Sequence, residues 1–181
     1  MKSENENINR IQRVSGTFRL LFTVLIFFIP VANLLYWLFF NYLPVGFTTE
    51  LPVVVSQALP FKTLLLAFLV SLIPVSVAVY GAINLKELFK LYERAIVFSE
   101  QNVNYFSRLG ITMISWVFAN LIFVVLISVV LTFNNLPGER VMVAQFGVSD
   151  VGTLIIGAVI LLVSWVMKEA SKLENEQAHT V

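Results

Sequence analysis

Residues 84–110 read NLKELFKLYERAIVFSEQNVNYFSRLG, a polar interval that separates two pairs of long apolar segments. Apolar residues recur in its first part at positions i, i+3, i+4 and i+7, as on one face of a helix: Leu85, Leu88, Phe89 and Tyr92. Charged residues fill the positions between them: Lys86, Glu87, Lys90, Glu93 and Arg94. The pattern predicts an amphipathic helix that continues the preceding apolar segment, with an intrahelical ion pair between Glu87 and Lys90.

The second part of the interval predicts the start of another helix. Ser99 is expected to be the N-cap, because its hydroxyl can accept a hydrogen bond from a backbone N–H two or three residues further on. Glu100 follows, and its negative charge suits the N-terminus of a helix. Residues 84–110 are therefore predicted to form two helical extensions that meet at a turn near residues 96–99. The alternative is a plain hairpin between membrane helices.

The apolar segments on both sides of the interval are long enough to cross a membrane, since a helix of about 20 residues spans the roughly 30 Å hydrocarbon core. Apolar residues make up 58% of the 181 residues, more than one soluble domain of this length can bury. The predicted fold class is all-α, a single integral membrane domain over residues 1–181 with four transmembrane helices. The predicted spans cover residues 20–41, 61–83, 111–133 and 151–167, and the other segments cover residues 1–19, 42–60, 84–110, 134–150 and 168–181.

Three smaller segments have weaker patterns. Residues 1–19 are polar and of mixed charge, which is typical of a short arm that is partly disordered at its start. Aromatic residues crowd the end of the first span and predict a belt at the lipid–water boundary: Tyr36, Trp37, Phe39, Phe40 and Tyr42. Residues 51–59 are apolar but too few to span, and are expected to lie on the membrane surface.

Basic residues are divided unequally between the two sides of the predicted spans. Lys62 and Arg140 lie on one side, and the other ten of the 12 lie on the opposite side: Lys2, Arg10, Arg13, Arg19, Lys86, Lys90, Arg94, Arg108, Lys168 and Lys172. The positive-inside rule places the richer side in the cytoplasm. Both termini and the amphipathic helical loop over residues 84–110 are therefore predicted to be cytoplasmic.

Short motifs in the interval resemble those of a known family. They are LKELFKLY at residues 85–92, FSEQNV at residues 98–103, and an Arg and a Gly that enter the next span, Arg108 and Gly110. A second stretch, residues 165–176, and a tail ending in Thr180-Val181 extend the likeness over nearly the whole chain. Together they resemble uncharacterised four-helix bacterial membrane proteins that share a domain of unknown function. Ala170 departs from the pattern, because family members typically have Gly there.

The resemblance implies a location in the bacterial inner membrane. It also implies a genomic neighbour, since members of that family are often encoded beside a small helix-turn-helix regulator. No catalytic residue is defined for the family, so the resemblance transfers none to this chain.

The composition argues against several classes of function. The chain has no cysteine, which excludes disulfides and thiolate metal sites, and its one histidine is His179. No ionisable residue lies deep in a predicted span, where proton relays and ion pathways place such groups. We therefore predict no catalytic residue, no cofactor and no metal site. The net charge of +1 gives no electrostatic footprint for direct binding of nucleic acid.

Five polar residues are the candidate site residues. Asn33 and Asn120 lie at membrane depth, and each is expected to make an interhelical hydrogen bond, because an amide in lipid needs a partner. Lys86, Lys90 and Arg94 recur every four residues on the charged face of the amphipathic helix. They are the candidate partner-binding residues.

Two functions from different classes fit these observations. The leading hypothesis is a non-enzymatic membrane anchor or sensor that contacts a cytoplasmic protein, for which the resemblance suggests a transcriptional regulator. The alternative is a small channel, transporter or transporter subunit, in which Asn33, Asn120 and the helices interrupted by Pro30 and Pro74 line a path. The lipid bilayer is a partner in either case, and the sequence leaves homo-oligomerisation open.

Overall fold

The computed structural model describes residues 2–44, 51–55, 58–96, 99–136 and 138–178, with side chains from Arg10 to Ala170. Over these ranges the chain is helical and contains no β-strand. The helices are α1 (Lys2–Leu38), α2 (Phe61–Glu93), α3 (Glu100–Thr132) and α4 (Val148–Ala178), and a short 3₁₀ turn (Phe40–Tyr42) follows α1. Some residues quoted above lie outside the described part: Phe98, His179 and Thr180-Val181, with the side chains of Lys2 and Lys172.

Each helix contains an apolar stretch long enough to cross a bilayer, namely Arg10–Leu38, Phe61–Glu93, Glu100–Thr132 and Val148–Ala170. The prediction of an all-α protein with four candidate spans is confirmed, and the chain is a multi-pass membrane protein. At about 1.5 Å per residue, a helix of 33 residues such as α2 is about 50 Å long, whereas the hydrocarbon core is about 30 Å thick. Part of α2 therefore extends beyond the hydrocarbon.

The four helices form an open row. α1 packs on α2, α2 on α3 and α3 on α4, and the described residues show no extensive contact between helices that are not consecutive. Arg19, in the first half of α1, contacts Glu93 at the end of α2, so these helices are antiparallel. The turn end of the row carries the first residues of α1, the α2–α3 turn and the end of α4. The loop end carries the α1–α2 and α3–α4 connections.

The polar N-terminal segment is helical, since α1 begins at Lys2. Its second half contacts the protein: Ser15 is buried at 4% exposure, and Arg19 forms an ion pair with Glu93. The part of α1 around Arg19 therefore lies beside the end of α2.

The loop end contains the main buried cluster, in which α2 lies between its two neighbours: Trp37, Phe40, Ala67, Ile127 and Leu131. Trp37 Nε1 donates a hydrogen bond to Ser71 Oγ over 3.0 Å. The predicted aromatic belt is therefore wrong for Trp37 and Phe40, which are 3% and 4% exposed, whereas Phe39 and Tyr42 are exposed as a belt requires. An aromatic ring at the boundary shows the same sequence pattern whether it faces lipid or protein.

The connection before α2 also packs on this cluster through four partly buried residues: Leu51, Val53, Val55 and Leu59. Asn41 fixes its end, since Nδ2 donates to the Leu59 carbonyl and Oδ1 accepts from the Leu59 amide, both over 2.9 Å. The segment expected to lie on the membrane surface therefore covers the protein core.

The α3–α4 contact depends on two glycines. A Cβ at Gly110 would lie 2.7 Å from Leu161 Cγ and 2.9 Å from the Gly157 carbonyl oxygen, and a Cβ at Gly157 would lie 3.1 Å from the Gly110 carbonyl oxygen. Small residues let helix backbones approach each other in a membrane. Gly157 is such a close-packing position. Gly152 is not such a position, since a Cβ there would meet no atom within 4 Å.

The connection between α3 and α4 runs back beside α3. Ser128 Oγ accepts from the Val143 amide over 3.0 Å, and Thr132 Oγ1 accepts from the Val141 amide over 3.2 Å. Both hydroxyl residues are buried. Non-helical backbone near a membrane needs partners from the protein itself, and these two hydroxyls supply them.

Candidate functional site

The turn end contains the residues predicted to bind a partner, and its apolar half is already covered by the chain itself. Leu88 and Leu91 are buried at 4% and 8% exposure. The Phe89 ring stacks on Phe18 and Phe22 of α1, with centroid distances of 5.0 and 5.6 Å. The apolar face of the amphipathic helix is therefore packed against the protein.

An ion pair joins the first half of α1 to the end of α2. Arg19 Nη1 lies 2.8 Å from Glu93 Oε2, with side chains 43% and 34% exposed. A pair this exposed contributes little to stability. Its effect is on charge, because it neutralises one base and one acid of the turn end.

α2 ends in a Schellman motif, a pattern that terminates helices by satisfying their last carbonyl groups. The Ile96 amide donates to the Leu91 carbonyl, and the Ala95 amide donates to the Tyr92 carbonyl, both over 3.0 Å. Ala95 has a φ of 59°, in the left-handed region where glycine is usual. Residues 91–96 therefore end α2 with a defined hydrogen-bond pattern, and Ala95 is strained within it.

α3 begins with the predicted cap. Ser99 Oγ accepts from the Asn102 amide over 3.3 Å, so the N-cap prediction is confirmed. Asn102 is fully buried, and its Nδ2 donates to the Ile96 carbonyl over 3.0 Å. The first turn of α3 thus holds the end of α2. Sequence reasoning gave Asn102 no role, because a polar residue beside an N-cap has the pattern of an exposed one.

The basic row consists of three residues: Lys86, Lys90 and Arg94. Their spacing of four places them along one side of the end of α2. Lys90 Nζ lies 3.0 Å from Glu87 Oε2, which confirms the predicted ion pair. Lys86 and Lys90 are half-buried, and Arg94 is exposed beside the turn. Exposure therefore increases along the basic row, from the half-buried Lys86 to the exposed Arg94.

The two amides at membrane depth are not brought together. Asn33 lies on α1 and Asn120 on α3, with α2 packed between those helices. Asn33 Nδ2 is buried and has no hydrogen-bond partner among the described residues. Asn120 is half-buried. The interhelical hydrogen bonds predicted for them remain predictions.

Other residues make the hydrogen bonds between helices that the structure shows. Besides the Trp37–Ser71 bond, Ser164 Oγ of α4 donates to the Val103 carbonyl of α3 over 2.8 Å. Asn134 Nδ2, just after α3, donates to Thr63 Oγ1 of α2 over 2.8 Å. Serine and threonine are common in membrane helices, so their number in the sequence did not reveal which ones join helices.

The chemistry that the turn end offers is electrostatic. The described residues contain no group of three or more His, Cys, Asp or Glu side chains placed to hold a metal ion. What they do contain is a row of positive charges on a helix whose end is fixed by backbone and side-chain hydrogen bonds.

An open row of four helices that can cross a bilayer, closed at one end by a polar turn, defines a small multi-pass membrane protein. Residues 20–181 match the model of the DUF2975 family, described as proteins of unknown function. The chain belongs to this family, and the resemblance seen in its motifs is confirmed. No curated protein and no solved structure matches it.

Proposed function

We propose that this protein is a non-enzymatic anchor or sensor of the bacterial inner membrane that docks a soluble cytoplasmic protein on its turn end. One observation carries the proposal: the apolar side of the α2 extension is packed on the chain itself, while Lys86 and Lys90 are partly exposed and Arg94 is exposed. The partner is a protein with an acidic surface. A small helix-turn-helix regulator is the candidate that the family resemblance suggests, and the protein itself contacts no nucleic acid.

The proposal requires both termini and the turn end to lie in the cytoplasm. The support is the charge distribution, since ten of 12 basic residues belong to the turn end. A reporter that is active only outside the cytoplasm should be active when fused after Glu50 or Arg140, and silent after Glu93 or Val181. The opposite pattern would overturn the orientation and the docking proposal with it.

The contribution of the basic row is to steer and orient the partner. Charges at the edge of an interface chiefly raise the association rate, and this effect weakens as salt is added. Arg94 is exposed, and the side chain of Lys90 is 40% exposed, so both can reach an acidic group in solvent. Neither contact needs the apolar face of α2.

The test replaces Lys86, Lys90 and Arg94 with Glu and measures which soluble protein is captured with the intact membrane protein from native membranes. A matched control reverses three exposed bases of the same end that lie on the other helices, Arg13, Arg108 and Lys168. Both triples change the net charge by the same amount, and both require the reporter assay to show normal insertion. We expect the first triple to reduce capture at least about tenfold, because exposed pairs contribute up to about 1 kcal/mol each, and the control to retain most of it.

Equal loss of capture in both triple variants would show a general response to charge and would contradict a specific role of the basic row. Unchanged capture in the first triple, or capture of no stoichiometric partner at all, would overturn the docking proposal.

The alternative function, a small channel, transporter or transporter subunit, is favoured by one observation. Asn33 Nδ2 is buried without a partner among the described residues, as a group that binds a passing solute can be. Flux of a solute through vesicles that contain the purified protein, lost on Asn33→Leu with folding unchanged, would support this function over docking.

A further inference from the structure

A cavity of about 470 Å³ opens at the loop end. One wall is the connection that leads into α2, and the other is the end of α3 with the residues after it. The first wall comprises Val54, Val55, Ala58, Leu59 and Pro60. The second comprises Leu131, Thr132, Asn134, Asn135, Leu136 and Glu139. The volume of the cavity lies in the range of pockets that hold small molecules.

Both walls are fixed by hydrogen bonds to neighbouring elements. Asn41 makes two bonds of 2.9 Å to the backbone of Leu59. Asn134 Nδ2 donates to Thr63 Oγ1 in the first turn of α2. Thr132 Oγ1 is bonded to the backbone of Val141. The cavity is therefore bounded by anchored segments from both connections.

The lining divides by chemistry. Aliphatic side chains cover much of both walls, and amide groups and a carboxylate lie on the α3 side. Glu139 is the one ionisable residue among the described lining residues. The nearby base, Arg140, has its guanidinium 5.2 Å from the centre of the Phe133 ring, and neither residue lines the cavity. The described lining thus combines aliphatic side chains, amide groups and one carboxylate, that of Glu139.

We propose that this cavity is a binding site for a small organic cation, an amine or ammonium compound with an apolar body. The apolar body would lie against the aliphatic walls, and the ammonium group would pair with Glu139 and donate to the amide oxygen of Asn135. An anion is disfavoured, because the described lining offers it no positive side chain and Glu139 repels it. This site lies at the end of the molecule opposite the basic row and does not depend on the docking proposal.

The test measures binding of phenethylammonium to the purified full-length protein in lipid nanodiscs by titration calorimetry. Phenethyl alcohol is the matched neutral probe, and empty nanodiscs measure partition into lipid. We expect saturable binding of the cation. The Glu139→Gln variant should weaken binding about fivefold, as loss of an exposed charge pair does. Because Glu139 is exposed, this variant should fold normally.

Two further variants make the test specific. Ala58→Phe places a ring in the cavity from an exposed position and should abolish saturable binding. Arg140→Gln removes the neighbouring charge outside the cavity and should leave the affinity within about twofold, as distant exposed charges do. Equal affinity for phenethyl alcohol, unchanged binding in Ala58→Phe, or heat only of the size seen with empty nanodiscs would each overturn the proposal.

Discussion

The two ends of the helix row are stabilised by different means. The turn end combines backbone and polar contacts, namely a Schellman motif, the Ser99 cap, the Asn102 bond to Ile96 and the Arg19–Glu93 pair, with the packing of Phe89 on two rings of α1. The loop end is joined by a buried cluster around Trp37, with connections fixed by side-chain hydrogen bonds. Loss of the exposed Arg19–Glu93 pair at the turn end should therefore cost little, whereas loss of a buried side chain from the cluster at the loop end should cost more. The turn end carries the basic row, and the loop end carries an open cavity.

The largest effect is expected at the loop end. Trp37→Ala removes a buried ring and the bond to Ser71, and should reduce the free energy of unfolding by about 3–5 kcal/mol. Tyr42→Ala is the matched control, because Tyr42 is 85% exposed and its loss should cost less than about 0.5 kcal/mol. Thermal unfolding in detergent measures both variants. Equal stability of the two would show that the cluster does not hold the loop end together.

The next effect concerns the α3–α4 contact. Gly110→Ala puts a methyl group within 3 Å of Leu161 and the Gly157 backbone, and should cost about 1–3 kcal/mol through strain. Gly152→Ala on α4 meets no neighbour and should be neutral, or stabilising by about 0.5–1 kcal/mol through helix propensity. The pair can be compared by the denaturant midpoint of the purified variants. If Gly110→Ala unfolds like the native protein, the helices are not in close contact there.

Much of this architecture could be predicted from the sequence, because its causes are local or compositional. The length of each span and the Ser99 cap follow from neighbouring residues, and the membrane location follows from the excess of apolar residues. The burial of Trp37 and Phe40 could not be predicted in this way, since lipid and protein present similar apolar surroundings to an aromatic ring.

The candidate site was predictable to the same extent. The spacing of Lys86, Lys90 and Arg94 predicts that they share one side of a helix, and in the structure α2 contains the first two and has Arg94 as its C-cap. Whether the opposite apolar side was free for a partner depended on Phe18 and Phe22, more than 60 residues away in the chain. Spacing within one helix cannot reveal such a contact.

A smaller effect on stability is expected at the turn end, where a substitution should stabilise the protein. Ala95→Gly removes the cost of a left-handed Ala and should stabilise the protein by about 0.5–1 kcal/mol. Glu100→Gly, at an exposed helical position beside the turn, is the control and should destabilise. Melting temperatures in one detergent suffice for the comparison. Destabilisation by Ala95→Gly would contradict the Schellman geometry.

The smallest effect is expected at Asn120, between the two ends. Asn120→Leu should change the free energy of unfolding by about 0.6 kcal/mol, the average for hydrogen bonds between membrane helices. Insertion should be normal by the reporter assay, and the measurement is again unfolding in detergent. Loss of a measured solute flux with unchanged stability would instead favour the transporter alternative.

The open row has a consequence for how the chain is made. A membrane protein leaves the ribosome from its N-terminus, and domains generally fold in that order. Because each helix here packs extensively only with the helix before or after it, every new helix meets its partner already in the bilayer. No helix depends on an extensive contact with a helix that is synthesised much later. While α4 is still being synthesised, α1, α2 and α3 can complete their packing on one another, so assembly in the membrane can keep pace with translation.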